Sequence, residues 1–323
     1  MTLVVSEMKF TGSGPNDSTI VAVPADGSAP TRLVTMRENP LPAMRPDGGA
    51  LAVAVGRGLA LWETSGAVRW MVPPDAAVAS GNPVWSPDGA YVYFGRWKMS
   101  AAGDFGEDLG IFRVRPDGSD LRNVVAGQPP GQSPPLVSVP RMVTKQNILI
   151  WGRAYEGASV EVLDLATGRQ RTYDGGVADV AAWRDTQPRA LIQHCTNTGC
   201  RGLVLWNDET GAKQQVLSND AQVDGADYAP SGGRIVVAQR TTEWGLDVID
   251  GTSVARIAGS TNAQWPRWVD AGIAYLWGPT DNGIGVIASQ VRMIAATGGA
   301  APRTLYRSSS NEYALFFRDI VGR

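Results

Sequence analysis

The feature that most constrains this chain is a Gly-bearing tight turn that recurs seven times at a nearly regular interval. The turns are Ala25-Asp26-Gly27, Thr64-Ser65-Gly66, Pro116-Asp117-Gly118, Ala166-Thr167-Gly168, Glu209-Thr210-Gly211, Asp250-Gly251-Thr252 and Ala296-Thr297-Gly298. Their glycines lie about 40 to 50 residues apart, the interval of a repeat architecture. A short apolar stretch enters each turn and an Arg- or Val-rich stretch leaves it, and no helical period is sustained anywhere. All-strand units of this period are those of a β-propeller.

A second element precedes each turn. Its strongest copies are Pro42-Ala43-Met44-Arg45-Pro46-Asp47-Gly48 and Pro83-Val84-Trp85-Ser86-Pro87-Asp88-Gly89. Weaker copies begin at Ala182, Asp227 and Trp265. Pro-Asp-Gly is hairpin chemistry: Pro presets φ, Asp hydrogen-bonds its own backbone, and Gly takes the left-handed position. Each unit therefore reads strand A, tight turn, strand B, loop, strand C, Gly turn, strand D. The units run over residues 42–82, 83–137, 138–178, 179–223, 224–261 and 262–310. Residues 1–41 hold three strands and lack a strand A, while residues 311–323 read as a strand A without successors. The expectation is an all-β, seven-bladed propeller of four-stranded antiparallel blades, one domain over 1–323. Its last strand completes the first blade and removes two exposed edges. Six or eight blades are the alternatives.

The segment Asn82 to Gly89, followed by Tyr91-Val92-Tyr93-Phe94, resembles the repeat of the TolB-type, WD40-like (PD40-type) β-propellers. Residues 44–55 and 228–237 fit the same pattern less closely, and the fourth and seventh units depart from it at Thr144-Lys145-Gln146-Asn147 and Val269-Asp270-Ala271-Gly272. The resemblance implies a binding platform, a periplasmic or extracellular sensor, or an accessory domain of a hydrolase.

Composition narrows the function. The formal net charge of −2 argues against a nucleic-acid surface, and no apolar run is long enough to span a bilayer. The chain opens Met1-Thr2-Leu3-Val4-Val5 without a basic region, an apolar core or an Ala-x-Ala site, the pattern of a cytoplasmic chain or of a mature or excised domain. Cys195 and Cys200 flank a four-residue spacer that a hairpin closes into a disulfide; two free thiols in a reducing cytosol is the other reading. The disulfide reading favours an extracytoplasmic home, periplasmic or secreted. Two Cys and the single histidine, His194, do not make a zinc site, so no metal and no cofactor are expected.

Binding is expected on the variable B–C loops at residues 11–18, 96–108, 152–158, 196–201, 240–245 and 279–283, with the D–A loops beside them. Arg96, Trp97, Phe105, Tyr155, Glu156, Trp244 and Asp281 ring that face, and aromatics with Arg suit protein or sugar contacts. The competing reading is that these side chains pack their own loops. On the opposite face Arg45, Arg141, Arg184, Arg267 and Arg318 stand near the ends of the A strands, where a ring of guanidiniums would hold a carboxylate or phosphate. Against that, Asp47, Asp185 and Asp319 lie one or two residues on and pair locally. Asp104, Glu107 and Asp108 read as a solvated acidic loop. No catalytic residue is assigned: no Gly-x-Ser-x-Gly elbow or Walker loop occurs. The expectation is a monomeric, non-catalytic binding domain for a protein or an envelope glycan. Two alternatives stand: a polysaccharide lyase or glycosidase with carboxylates at the channel mouth, or a module of a larger sensor or hydrolase.

Overall fold

A computed structural model of the chain describes residues 1–9, 17–36, 41–100, 105–128, 137–154, 159–196, 199–279, 288–309 and 313–321. Among these residues the regular structure is entirely strand. The chain divides into two compact units, Met1–Asn39 with Asp179–Arg323, and Pro40–Ala178.

The first unit opens with the antiparallel meander β1 (Thr2–Lys9), β2 (Ser18–Pro24) and β3 (Thr31–Met36). The second unit is three four-stranded meanders. They are β4 (Leu41–Met44), β5 (Ala50–Val55), β6 (Gly58–Glu63) and β7 (Val68–Val72); then β8 (Val78–Trp85), β9 (Val92–Met99), β10 (Phe105–Val114) and β11 (Arg122–Ala126); then β12 (Val137–Val143), β13 (Ile148–Ala154), β14 (Glu161–Asp164) and β15 (Gln170–Thr172). Returning to the first unit, the chain adds β16 (Asp179–Trp183), β17 (Ala190–Thr196), β18 (Gly199–Trp206), β19 (Lys213–Tyr228), β20 (Arg234–Arg240), β21 (Trp244–Asp250) and β22 (Ser253–Arg256). It ends with β23 (Ala263–Val269), β24 (Gly272–Trp277), β25 (Gln290–Ile294), β26 (Arg303–Arg307) and β27 (Tyr313–Val321). β27 pairs antiparallel with β1, so one sheet has the order β27-β1-β2-β3 and is built from both ends of the sequence.

The strands form five four-stranded sheets and one seven-stranded sheet, where the sequence predicts seven separate sheets. The difference lies in β19, whose first half pairs with β18 and whose second half pairs with β20. Of the other described links, the one after β7 holds Pro73 and Pro74, the one after β15 Gly175 and Gly176, and the one after β22 Gly259. The corresponding Ser218-Asn219-Asp220-Ala221 holds neither residue, so the backbone stays extended through it.

Both faces of each central strand are buried, which explains why these strands read as apolar runs without polar alternation. Along β9, Val92 and Phe94 pack with Ala52, Leu61 and Trp85, while Tyr93 between them packs with Leu149 and Trp151. Along β20, Val237 joins Leu191 and Leu203, and its neighbour Val236 joins Ile273 and Tyr275. Leu3 and Val5 of β1 meet Val291 of β25 and Leu315 of β27. Alternate residues thus bind a sheet to its two neighbours within each unit.

A β-bulge recurs in the first strand of most sheets. The ladder skips at Gly81/Val84 in β8, at Pro140/Met142 in β12 and at Val180/Ala182 in β16. It skips again at Val223/Ala226 in β19 and at Gln264/Arg267 in β23. In β27 the residue left over is Arg318, and in β12 it is Arg141. Bulges re-aim side chains, so this repeated irregularity decides what each first strand presents.

Candidate functional site

In the first unit the bulges of β19 and β23 lie together and hold a tryptophan in unusual backbone. Trp265, within β23, has φ 50° and is 40% exposed, whereas Trp268 three residues later is 5% exposed. A bulky residue with positive φ is strained by about 1–3 kcal/mol and persists only where its surroundings enforce it. Here Pro266 follows, and Gly225 of β19 lies beneath with φ 85°. A Cβ on Gly225 would stand 3.3 Å from Trp265 Cα and 3.6 Å from Cε3, so glycine is what admits the tryptophan backbone.

Charged and polar groups lie on the same two strands beside Trp265. Arg267 donates from Nη1 to the Pro266 carbonyl at 3.0 Å and exerts its field on Asp224, the neighbour of Gly225. Loss of water pushes the Asp224 carboxyl up to about 7, against the pull of Arg267. The Gly225 amide donates to Oε1 of buried Gln193 at 3.3 Å. Three residues further along β19, Asp227 joins the two sheets: its Oδ2 accepts the Trp268 amide at 2.8 Å and its Oδ1 accepts the Tyr228 amide at 2.9 Å. The two bulges thus bring together an exposed indole, a guanidinium, and a carboxyl that burial pushes up to about 7. Among the described residues no group of three or more His, Cys, Asp or Glu side chains is placed to hold a metal ion. No helix among the described residues is long and apolar enough to cross a membrane.

Of the five arginines singled out above, only Arg267 belongs to this cluster. Arg45 gives Nε to Asp47 Oδ1 at 2.8 Å. Arg184 is taken up by the fold: Nε and Nη2 reach the carbonyls of Pro188 (2.7 Å) and Gln187 (3.4 Å), Nη1 reaches that of Gly232, and the guanidinium lies 4.8 Å over the Tyr228 ring. Arg141 is exposed on its bulge, and the Arg318 side chain lies outside the described residues.

Among the loop residues, Arg96 stacks on the Phe112 ring at 5.0 Å, and burial lowers its pKa from the ordinary value. The Trp97 ring covers Gly81, where a Cβ would fall 2.6 Å from Cη2. Trp244 corrects the expectation of a surface contact: it is 3% exposed, and Asn262 donates to its carbonyl at 2.9 Å from the link to the next sheet. Tyr155, Glu156, Asp281 and the Phe105 side chain lie outside the described residues. Asp108, expected in a solvated acidic loop, is buried in β10 and accepts the amides of Gly110 (3.0 Å), Gln128 (3.0 Å) and Ser138 (3.1 Å), with the Ser138 hydroxyl at 2.7 Å. Glu107 pairs with Lys98 at 2.6 Å, and Asp104 lies outside the described residues. Cys195 and Cys200 face each other across β17 and β18 and are bonded, S–S 2.07 Å.

Sequence reasoning did not select Trp265, Gly225 or Asp224. The signal for Trp265 was present: Trp265-Pro266 occupies the place of Asn82-Pro83, and Asn82 has φ 53°. Asn adopts that conformation readily and Trp does not.

A scan of protein-family models and a search of curated proteins both find no match for this chain. Solved structures do match. TolB from Acinetobacter baumannii aligns at 14% identity and TM-score 0.52, over 80% of this chain and 65% of that one. A puromycin hydrolase aligns at 17% identity and TM-score 0.66, over 91% of this chain and 50% of that one. The β-propeller domain of the Trilobed protease from Pyrococcus furiosus aligns at 13% identity and TM-score 0.53, over 91% and 88%. The chain therefore spans less than two thirds of TolB and half of the hydrolase. At these identities the likeness shows the fold, a TolB-like β-propeller of small antiparallel sheets.

Proposed function

We propose that this chain is a non-catalytic binding or scaffold domain that engages a protein or cell-envelope partner through the loop ends of its blades. Trp265 is the anchor of the recognition surface in this reading. The single observation that carries it is an exposed tryptophan held in strained backbone beside Arg267 and Asp224. Trp and Arg dominate interface hot spots, and strain of this kind is retained where the side chain has a task. Asp224 and Trp265 stand toward the B–C and D–A end of their strands, as Arg96 and Trp97 do in β9. In the same reading the seven-stranded sheet counts as two blades that share β19, which makes seven blades over one domain, with β27 closing the ring. The Cys195–Cys200 disulfide and the TolB likeness support an extracytoplasmic setting.

A second reading is favoured by the alignment lengths: the chain covers half of a hydrolase yet 88% of a protease's isolated propeller domain. It is then the recognition module of a larger hydrolase, and Trp265 keeps its role.

The test is a peptide and glycan array probed with the intact protein, followed by titration of any ligand found. Trp265→Asn removes the indole from a position that Asn tolerates. It should weaken binding about tenfold or more while leaving the melting midpoint unchanged or higher. Equal affinity of the variant would remove Trp265 from the reading. Release of product from any array member, abolished by one carboxylate substitution, would overturn the non-catalytic assignment.

A further inference from the structure

The second unit carries an open groove of about 480 Å³ with no part in the site above. One wall is β11 from Arg122 to Ala126 with Gly127 after it, and the other is formed by Leu163, Asp164 and Leu165 at the end of β14, with Gln170. Among the described residues β11 is the outermost strand of its sheet and pairs only with β10, so its second edge offers backbone amides and carbonyls along the groove. The floor is apolar: Val124 and Leu165 pack, partly buried, on Val125 and Leu163. β15 is only three residues long and ends its pairing at Leu163, which leaves Leu165 uncovered on this side.

The charge along the groove is one-sided. Arg113, Arg122 and Arg153 line it. The nearby carboxylates are already engaged: Asp164 Oδ1 accepts the amides of Ala166 (2.9 Å) and Thr167 (3.0 Å), and Asp120 Oδ2 accepts Arg113 at 2.7 Å. Arg122 is 57% exposed, with only the other Asp120 oxygen at 3.7 Å. The Arg153 guanidinium stacks on Trp151 at 5.1 Å, and its Nε meets no acceptor among the described residues. What the groove presents is an edge of strand backbone, an apolar floor, the exposed Arg122 guanidinium with one long ion pair, and Arg153.

We propose that β11 accepts an extended acidic segment of a partner protein as an added strand. The main chain of the segment pairs with the β11 edge, its carboxylates meet Arg122 and Arg153, and small apolar residues settle on Val124 and Leu165. Strand addition draws affinity from main-chain hydrogen bonds and specificity from alternate side chains, which this groove supplies separately. The inference is independent of Trp265 and holds whichever partner the loop ends take.

The probe is a fluorescein-labelled octapeptide, Gly-Val-Glu-Val-Asp-Val-Glu-Gly, titrated against the intact protein by anisotropy. Controls carry Lys at each acidic position, or Pro at each acidic position to remove main-chain donors. The acidic peptide should bind at least about tenfold more tightly than either control, and weaken as salt is raised. Arg122→Gln and Arg153→Gln should each lower affinity about three- to tenfold at an unchanged melting midpoint. Should Arg153→Gln fail to fold, the exposed Arg122 carries the same test. Hydrogen exchange should slow across residues 122–127 when peptide is added. Equal binding of the Lys peptide, protection confined to another strand, or no binding at millimolar peptide would overturn the proposal. So would concentration-dependent self-association with protection of β11, which would make the occupant a second copy of this chain.

Discussion

Asp224 shows how far a single side chain departs from what its residue type implies. Its carboxyl is raised from 3.8 to about 7 because the bulge of β19 takes it out of water, and Arg267 only partly compensates. Between those two values the folded protein holds a proton that the unfolded chain has released. The stability this provides is present at about pH 4 and is lost as pH rises through about 7. Asp224→Asn should therefore match the parent near pH 4 and exceed it above about pH 7, as read by urea unfolding at several pH values. A parent whose stability does not fall over that window would contradict the assignment. Other residues at this scale were half legible. Arg45 lies beside the Asp47 that the sequence offers it, two residues away, because a short turn leaves the two little choice. Arg184 instead finds carbonyls of the Gln187-Pro188 turn and of Gly232, which lies 48 positions along the chain. Nothing in the local sequence points to that last contact.

At the scale of strands and hairpins, turn chemistry was the most readable signal. The turn at Asp47 keeps its carboxylate on the Gly49 amide at 2.8 Å, and that at Asp117 does the same for Ser119 at 2.9 Å. Both are intrinsic habits of Asp before Gly. The spacer between Cys195 and Cys200 likewise marked a hairpin, since a ladder that pairs Thr196 with Gly199 sets the two sulfurs opposite each other. Opening that small ring costs little chain entropy, so reduction should lower unfolding free energy by about 2 kcal/mol, measured by denaturant titration with and without a phosphine reductant. A loss of about 5 kcal/mol or more would mean that the hairpin organises its whole sheet. The boundary inside β19 was not legible. It depends on the absence of a breaker between Leu217 and Gln222, and an extended polar stretch without Gly or Pro suits a loop and a strand equally well.

For the molecule as a whole, the decisive pairing is β27 with β1, some 310 residues apart in sequence. β27 carries Leu315 into the cluster that holds Leu3, Val5 and Val291. Deleting residues 313–321 would strip the ladder partner from β1 and uncover that cluster. The truncated chain should lose its sharp thermal transition, followed by circular dichroism, and gain dye-binding apolar surface. A truncated protein that melts like the parent would show that β1 needs no partner on that side.

The sequence by itself determined the all-strand class, the repeat, the tight turns and the completion of the first sheet by the last strand. The first three follow from local backbone preference and the recurrence of apolar runs. The last follows from a count of strands that leaves one short at the start and one over at the end. A linear string carries all of this intact. Only the tertiary structure decided which polar groups the fold consumes and which it leaves presented. Trp244 is buried and Trp265 exposed, Asp108 holds three amides and a hydroxyl, and the half-buried Asp224 has its carboxyl pushed up by desolvation. Those outcomes depend on bulges and on atoms brought in from neighbouring sheets about one repeat away, and the energy of a buried polar group is set by such neighbours, whatever its residue type.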